Sequence, residues 1–160
     1  MNHQTTQDKA GVLIFPPLLY LLALATGILI SYFFPHQFID FSMALPIGII
    51  ITVLGMTTLI LAASLFRKNK NPVNPSGSTK LVICSGIYKY TRNPMYLGLT
   101  IIFIGISIIT NAWFSFVLLF PLLMVCQKGI IEREERYLTR KFGNEYLEYQ
   151  TKVRRWIGYK

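Results

Sequence analysis

The chain has 160 residues, of which 52% are hydrophobic and only 14% charged, with a formal net charge of +9. A soluble domain carries roughly 25% charged residues, so the composition argues against a soluble core, and the length leaves room for a single domain, residues 1–160. The positive charge does not point to nucleic acid, because the basic residues flank apolar runs and form no stripe on a soluble surface.

Between Leu13 and Phe66 the one formal charge is Asp40, and between Asn93 and Gln127 there is none. Runs of this kind belong in lipid, where a helix satisfies its own backbone groups. The first predicted span covers residues 13–34, with Pro16 and Pro17 in its first turn, where a missing amide donor costs least. Ala23-Leu24-Ala25 mimics a signal cleavage site, but the apolar run continues to Phe34 and a retained span is expected. Ala23 and Gly27 lie four apart, the spacing of a close helix–helix contact. Pro35-His36-Gln37 ends this span, and the second covers residues 41–66.

Residues 67–92 hold six basic and no acidic residues, with Pro72, Pro75, Gly77 and Gly86 breaking regular structure. The positive-inside rule assigns this loop to the cytoplasm. The apolar stretch Pro94–Cys126 is 33 residues, and one straight helix of that length would run about 50 Å against a hydrocarbon core of about 30 Å. Thr110-Asn111 is its one polar break, so the expectation is a short hairpin, with spans at 94–110 and 112–128. Residues 129–160 form a cytoplasmic segment, and an even number of spans puts both termini inside. The predicted fold is therefore an all-α integral membrane protein of about four transmembrane helices plus a cytoplasmic C-terminal amphipathic helix. Its expected setting is the inner or plasma membrane of a bacterium, among membrane lipids, and its oligomeric state is left open.

Three cytoplasmic pieces hold the chemistry. In the first, Ser85–Gly98, Asn93 followed by Pro94 reads as an N-cap and a first helical position. That helix N-terminus with Arg92 beside it would attract an anion, although a capped span with a headgroup-snorkelling Arg92 reads equally well. In the second, Ile130–Leu138, Glu132 has Arg136 at i+4 and forms an ordinary surface pair. Glu134 has Ile130, Ile131, Tyr137 and Leu138 at the neighbouring helical positions, and Glu135 likewise has no basic neighbour. A carboxylate on an apolar face needs a partner, such as Arg92 or a cationic ligand. In the third, Phe142, Tyr146, Tyr149, Val153 and Trp156 follow helical spacing, with Lys152, Arg154 and Arg155 around the end. An interfacial helix with aromatic anchors is the plain reading; tyrosines lining a pocket is the other. Cys84 and Cys126 have no metal or redox spacing, His3 and His36 lie outside these pieces, and no metal site is expected.

Gly-x-Tyr, Arg-Asn-Pro-Met-Tyr-x-Gly, Ile-x-x-Glu-Glu-x-x-Leu and Phe-Gly-x-x-Tyr-x-x-Tyr occur in this order between Pro72 and Trp156. Together they resemble the isoprenylcysteine carboxyl methyltransferases and their phospholipid methyltransferase relatives. The resemblance implies a membrane enzyme that uses S-adenosylmethionine and takes a lipophilic substrate from the bilayer. It implies that Tyr88, Arg92, Asn93, Pro94, Tyr96, Glu134 and Glu135 bind the cofactor. Arg92, Glu134 and Glu135 are the candidate catalytic residues, and Tyr146 and Tyr149 the candidate substrate contacts. Two positions depart from the pattern: Ile87 stands where many members have Pro, and Asn93 where the eukaryotic enzymes usually have His. Asn donates a hydrogen bond but does not titrate near neutral pH. The acceptor is open among prenylcysteine, a phospholipid amine and a small thiol. Two other classes compete. One is an NADPH-dependent sterol-type reductase, disfavoured by Leu99 after Gly98 where those enzymes place an acid. The other is a non-catalytic membrane scaffold, disfavoured by Glu134 on its apolar face.

Overall fold

A computed structural model describes residues 15–71 and 79–159. Leu13 at the start of the first predicted span, the breaks at Pro72, Pro75 and Gly77, and His3 all lie outside the described residues. Six α-helices follow in order: α1 Pro16–Phe33, α2 Phe41–Lys68, α3 Pro94–Ile109, α4 Trp113–Val125, α5 Glu132–Phe142 and α6 Asn144–Lys152. Gly86–Lys89 forms a 3₁₀ turn ahead of α3, and a π-helical stretch, Cys126–Ile131, joins α4 to α5 without interrupting the helix. There are no strands among the described residues, only one antiparallel bridge between Val153 and Tyr159.

Three helices are long and apolar enough to cross a membrane: Pro16–Phe33, Phe41–Lys68 and the continuous Trp113–Phe142. The fourth apolar helix, α3, is shorter at 16 residues. The first 18 residues of Trp113–Phe142 hold one charge, Lys128, so its apolar part ends before Glu132 and the polar α5 lies beyond it. Apolar side chains such as Leu21, Leu22, Ile50, Val53, Leu54 and Ile60 face outward from α1 and α2, the arrangement that lipid tails favour and water does not. The protein is an integral membrane protein.

The central element is α3. It packs along most of α2, while α1 packs mainly on α4 and scarcely touches α2. Close approach of α2 and α3 rests on four glycines in two seven-residue pairs, Gly48 with Gly55 and Gly98 with Gly105. A Cβ at Gly55 would come 2.9 Å from the Gly98 carbonyl oxygen, and one at Gly105 would come 2.9 Å from that of Gly48. Small residues at such a seam let helix backbones meet where no hydrophobic effect drives association. The Ala23/Gly27 spacing has the same meaning at its Gly27 end, where an added Cβ would collide with Ser115 of α4. The bundle centre holds Tyr20, Phe103, Leu122, Cys126, Ile130 and Ile131, and the Tyr20 and Thr100 hydroxyls share a hydrogen bond of 2.8 Å.

At the far end α3 stops at Thr110, and Asn111 takes a left-handed φ of 49° that turns the chain into α4. Its side chain fastens the α1–α2 connection: Oδ1 accepts from the Phe38 amide at 3.2 Å and Nδ2 donates to the Ile39 carbonyl at 2.6 Å. The Trp113 indole donates to the Phe34 carbonyl at 2.8 Å. These contacts satisfy loop groups at the end of the molecule opposite the charged residues.

Candidate active site

The site is built where α3 begins. Gly86, at φ +59°, opens the 3₁₀ turn and drops Tyr88 into a buried position against Phe66, with ring centroids 5.5 Å apart. Tyr90–Asn93 then runs non-helically to Pro94, whose fixed φ and absent donor suit the first helical position. Asn93 occupies the N-cap position but makes no side-chain cap. The predicted side-chain cap is therefore corrected: Asn93 Nδ2 donates instead to the Arg155 carbonyl at 3.0 Å. Thr91 Oγ1 donates to the same carbonyl at 3.3 Å and accepts from the Asn93 amide at 3.1 Å.

The partner of this segment is the chain's end. Beyond α6, residues Val153–Tyr159 leave the helix and fold back as a strap, closed by the Arg154 amide donating to the Gly158 carbonyl at 2.9 Å. The Arg92 amide donates to the Arg154 carbonyl at 3.1 Å and the Gly158 amide to the Tyr90 carbonyl at 2.8 Å. The Trp156 indole donates to Gln127 Oε1 at 3.1 Å, tying the strap to the π segment. The helical spacing read from Phe142 to Trp156 thus belongs to three pieces, divided by Gly143 at φ +54° and by the end of α6 at Lys152. Tyr146, Tyr149 and Val153 are buried against Val82, Leu138 and Phe142, which corrects the reading of these aromatics as interfacial anchors. The Tyr149 hydroxyl donates to the Tyr88 carbonyl at 2.7 Å.

The acids of α5 divide by partner. Glu135, 8% exposed, is gripped by Arg155 through both oxygens, Nε to Oε1 at 3.1 Å and Nη2 to Oε2 at 2.6 Å. Such two-point pairing is the strongest form of the arginine–carboxylate contact, and the Glu135 hydrogen bond is the main reason the Arg155 guanidinium is held above its usual pKa. Glu132 reaches Arg155 Nη1 at 3.5 Å. This replaces the predicted Glu132–Arg136 surface pair, because the strap's reversal brings Arg155 to the side of α5 that carries Glu132 and Glu135. Glu134 accepts from the Tyr96 hydroxyl at 2.8 Å. Burial pushes the Glu134 carboxyl up to about 7; the Tyr96 hydrogen bond opposes this and the neighbouring Glu135 charge adds to it.

Arg92 completes the set. Its Nη1 lies 3.2 Å from Glu135 Oε1, with both side chains about nine-tenths buried. That contact lacks hydrogen-bond direction, and neither Nη1 nor Nε has a hydrogen-bond partner. Burial holds the Tyr146 hydroxyl up to about 12; the Glu135 charge adds to this and the Arg92 charge opposes it. A buried donor without an acceptor costs about 1–3 kcal/mol, more when charged, so Nε, and Nη1 with its undirected ion pair, mark a place where an acceptor belongs.

All nine residues singled out from the sequence border one cavity of about 210 Å³: Tyr88, Arg92, Asn93, Pro94, Tyr96, Glu134, Glu135, Tyr146 and Tyr149. Phe15 and Pro16 from the start of α1, and Leu59 and Phe66 from α2, add apolar lining. Sequence reasoning missed Arg155, which appeared only as one of three cations near the chain's end. No spacing rule links it to Glu135 twenty residues earlier, and only the strap's reversal brings them together. No group of three or more His, Cys, Asp or Glu side chains able to hold a metal occurs among the described residues.

Residues 22–145 match the family model described as phospholipid methyltransferase. Over 66 residues the chain is 38% identical to an uncharacterized protein of Haemophilus influenzae, covering 39% of this chain and all of that protein. It is 27% identical over 130 residues to the protein-S-isoprenylcysteine O-methyltransferase of Saccharomyces cerevisiae, 77% of this chain and 54% of that enzyme. The Schizosaccharomyces pombe enzyme of the same name is 34% identical over 73 residues, 46% of this chain and 31% of that enzyme. The chain thus spans about half or less of the length of the two yeast enzymes. No solved structure matches it. The matched region runs from α1 through α3, the π segment and the Glu134–Glu135 helix, and the chain belongs to the phospholipid methyltransferase family.

Proposed function

We propose that the protein is an S-adenosylmethionine-dependent methyltransferase acting on a lipophilic acceptor, most like isoprenylcysteine carboxyl O-methylation. The observation that carries this reading is the pairing, in one cavity, of a buried arginine whose Nε and Nη1 make no hydrogen bond and a buried carboxylate with no cationic partner among the described residues. The amino-acid end of this cofactor bears a carboxylate and an ammonium, so the donor set fits it. Arg92 would take the carboxylate, and Glu134 the ammonium or the ribose hydroxyls. The cofactor, when bound, supplies a methyl group on a positively charged sulfur.

The chain's own residues would do the rest. The Tyr88 ring and the Tyr149 ring, the latter held by its hydroxyl donating to the Tyr88 backbone carbonyl at 2.7 Å, offer aromatic faces near a cationic group. Tyr96 fixes one Glu134 oxygen and leaves the carboxylate pointed by α5. Displacement at a methyl group gains most from alignment of the two reactants, and a carboxylate or thiolate acceptor needs no general base. A lipophilic acceptor is supported by the apolar lining from Phe15, Pro16, Leu59 and Phe66, because α2 packs on α3 and α1 mainly on α4, and the two scarcely touch each other. We place this end of the bundle at the cytoplasmic face, with the basic blocks 67–92 and 129–160, by the positive-inside rule. N-methylation of a phospholipid amine is the second reading. It is favoured by a Glu134 carboxyl held near 7, able to take up the proton such an acceptor releases.

Membranes containing the protein, supplied with methyl-labelled S-adenosylmethionine, are expected to pass label to an organic-extractable product. Label released as methanol by mild base identifies a carboxyl ester. Base-stable label in a phospholipid supports the second reading. No lipid-soluble label with prenylcysteine or phospholipid acceptors present would overturn methyl transfer to a lipophilic acceptor.

A further inference from the structure

Arg155 is joined to both halves of the site by different groups. Its carbonyl accepts from Thr91 and Asn93 at the start of α3, while its guanidinium grips both Glu135 oxygens on α5. Glu135 therefore gives one lone pair of each oxygen to Arg155, and Arg92 Nη1 forms an ion pair with it at 3.2 Å without a directed hydrogen bond. A buried carboxylate deprived of Arg155 would turn to the one other cation beside it, Arg92. A directed, two-point pair there would consume Arg92 donors that now make no hydrogen bond.

We propose that Arg155 is a positioning residue that keeps the Arg92 fork available: by holding both Glu135 oxygens it stops the Arg92–Glu135 ion pair from tightening into a directed, two-point pair, and so preserves the seat for the ligand's carboxylate. This rests on the reading that Arg92 receives the carboxylate of the cofactor. Arg155 itself touches no ligand. Arg154, whose side chain is exposed and whose backbone alone holds the strap, is the natural control.

The test measures binding of S-adenosylhomocysteine, which has the carboxylate, and of methylthioadenosine, which lacks the whole amino-acid end. Arg155→Gln is expected to weaken S-adenosylhomocysteine about five- to tenfold, the loss of roughly one directed charge-assisted contact, and to leave methylthioadenosine unchanged. Arg155→Lys, able to satisfy one Glu135 oxygen at a time, falls between. In Glu135→Gln the acid that would close on Arg92 is gone, so adding Arg155→Gln to it should cost nothing further. Arg154→Gln should match the wild type. Equal weakening of both ligands by Arg155→Gln would show a merely structural strap and overturn the proposal. So would losses that multiply in the double variant, or an Arg155→Gln protein that binds S-adenosylhomocysteine as the wild type does. If the wild type binds neither ligand, the cofactor reading itself fails.

Discussion

Replacing Arg92 with lysine is expected to weaken S-adenosylhomocysteine binding and lower turnover by roughly a hundredfold, the equivalent of one or two charge-assisted hydrogen bonds. The charge survives this change, and a lysine ammonium can still pair with Glu135. What disappears is the planar fork, whose Nε and Nη1 are the two donors left without acceptors in the buried site. The free protein should keep its helicity, membrane insertion and thermal midpoint, because those donors make no hydrogen bond in the absence of ligand. Full binding by Arg92→Lys would show that the guanidinium fork does not hold the ligand's carboxylate. Asn93→Asp is not an independent probe of the same anion seat. Asn93 Nδ2 donates to the Arg155 carbonyl, so an aspartate sets an acceptor against an acceptor and loosens the strap as well as adding charge. The donor is also what a histidine at this position would supply, which gives a hydrogen-bonding reason for the departure seen at Asn93.

Glu134→Gln is expected to weaken the same ligand by roughly tenfold to a hundredfold, since a buried charge-assisted contact of ~1.5–3 kcal/mol is lost. Two pH dependences of opposite sign identify the cause. In the free protein the Glu134 carboxyl titrates near 7, above its ordinary 4.5, because it is buried. A raised folded-state value means the group's stabilising contribution is full below about 4.5 and is lost as pH rises through about 7. The wild-type thermal midpoint should therefore fall relative to that of Glu134→Gln over this window. Affinity should move the other way, rising in the wild type from pH 6 to pH 8 as the carboxylate forms, and staying flatter in Glu134→Gln. Glu132→Gln should change binding little, because its contact with Arg155 is long at 3.5 Å and about a third exposed. Equal, small effects at Glu132 and Glu134 would make α5 a solvated charge run.

Much of this was legible in residue order. The apolar runs, the prolines at the starts of α1 and α3, and the polar break at Thr110-Asn111 follow from local rules that hold wherever a helix must satisfy its own backbone. Glu134 could be singled out because its helical neighbours Ile130, Ile131, Tyr137 and Leu138 lie on the same turn-by-turn face, inside α5 or immediately before it. The rest depended on where the chain reverses. Gly143, at positive φ, and the end of α6 at Lys152 break what looks like one amphipathic helix into α6 and a strap. That reversal buries Tyr146 and Tyr149 and brings Arg155 to Glu135 and Glu132. Helical spacing cannot anticipate a partner delivered by a turn, so it matches Glu132 to Arg136, the cation at i+4 on the same helix. The α2–α3 glycine seam was equally silent, since Gly48 and Gly105 acquire meaning only once the two helices are antiparallel and in register.

The central claim is that this cavity holds a sulfonium cofactor by its amino-acid end, and direct binding to the purified, detergent-solubilised protein tests it. S-adenosylmethionine or S-adenosylhomocysteine should bind in calorimetry at one site per chain and raise the thermal midpoint, because a ligand held by the native state stabilises it by mass action. NADPH should do neither. Stabilisation by NADPH with no response to either sulfur compound would contradict the account and restore the reductase reading.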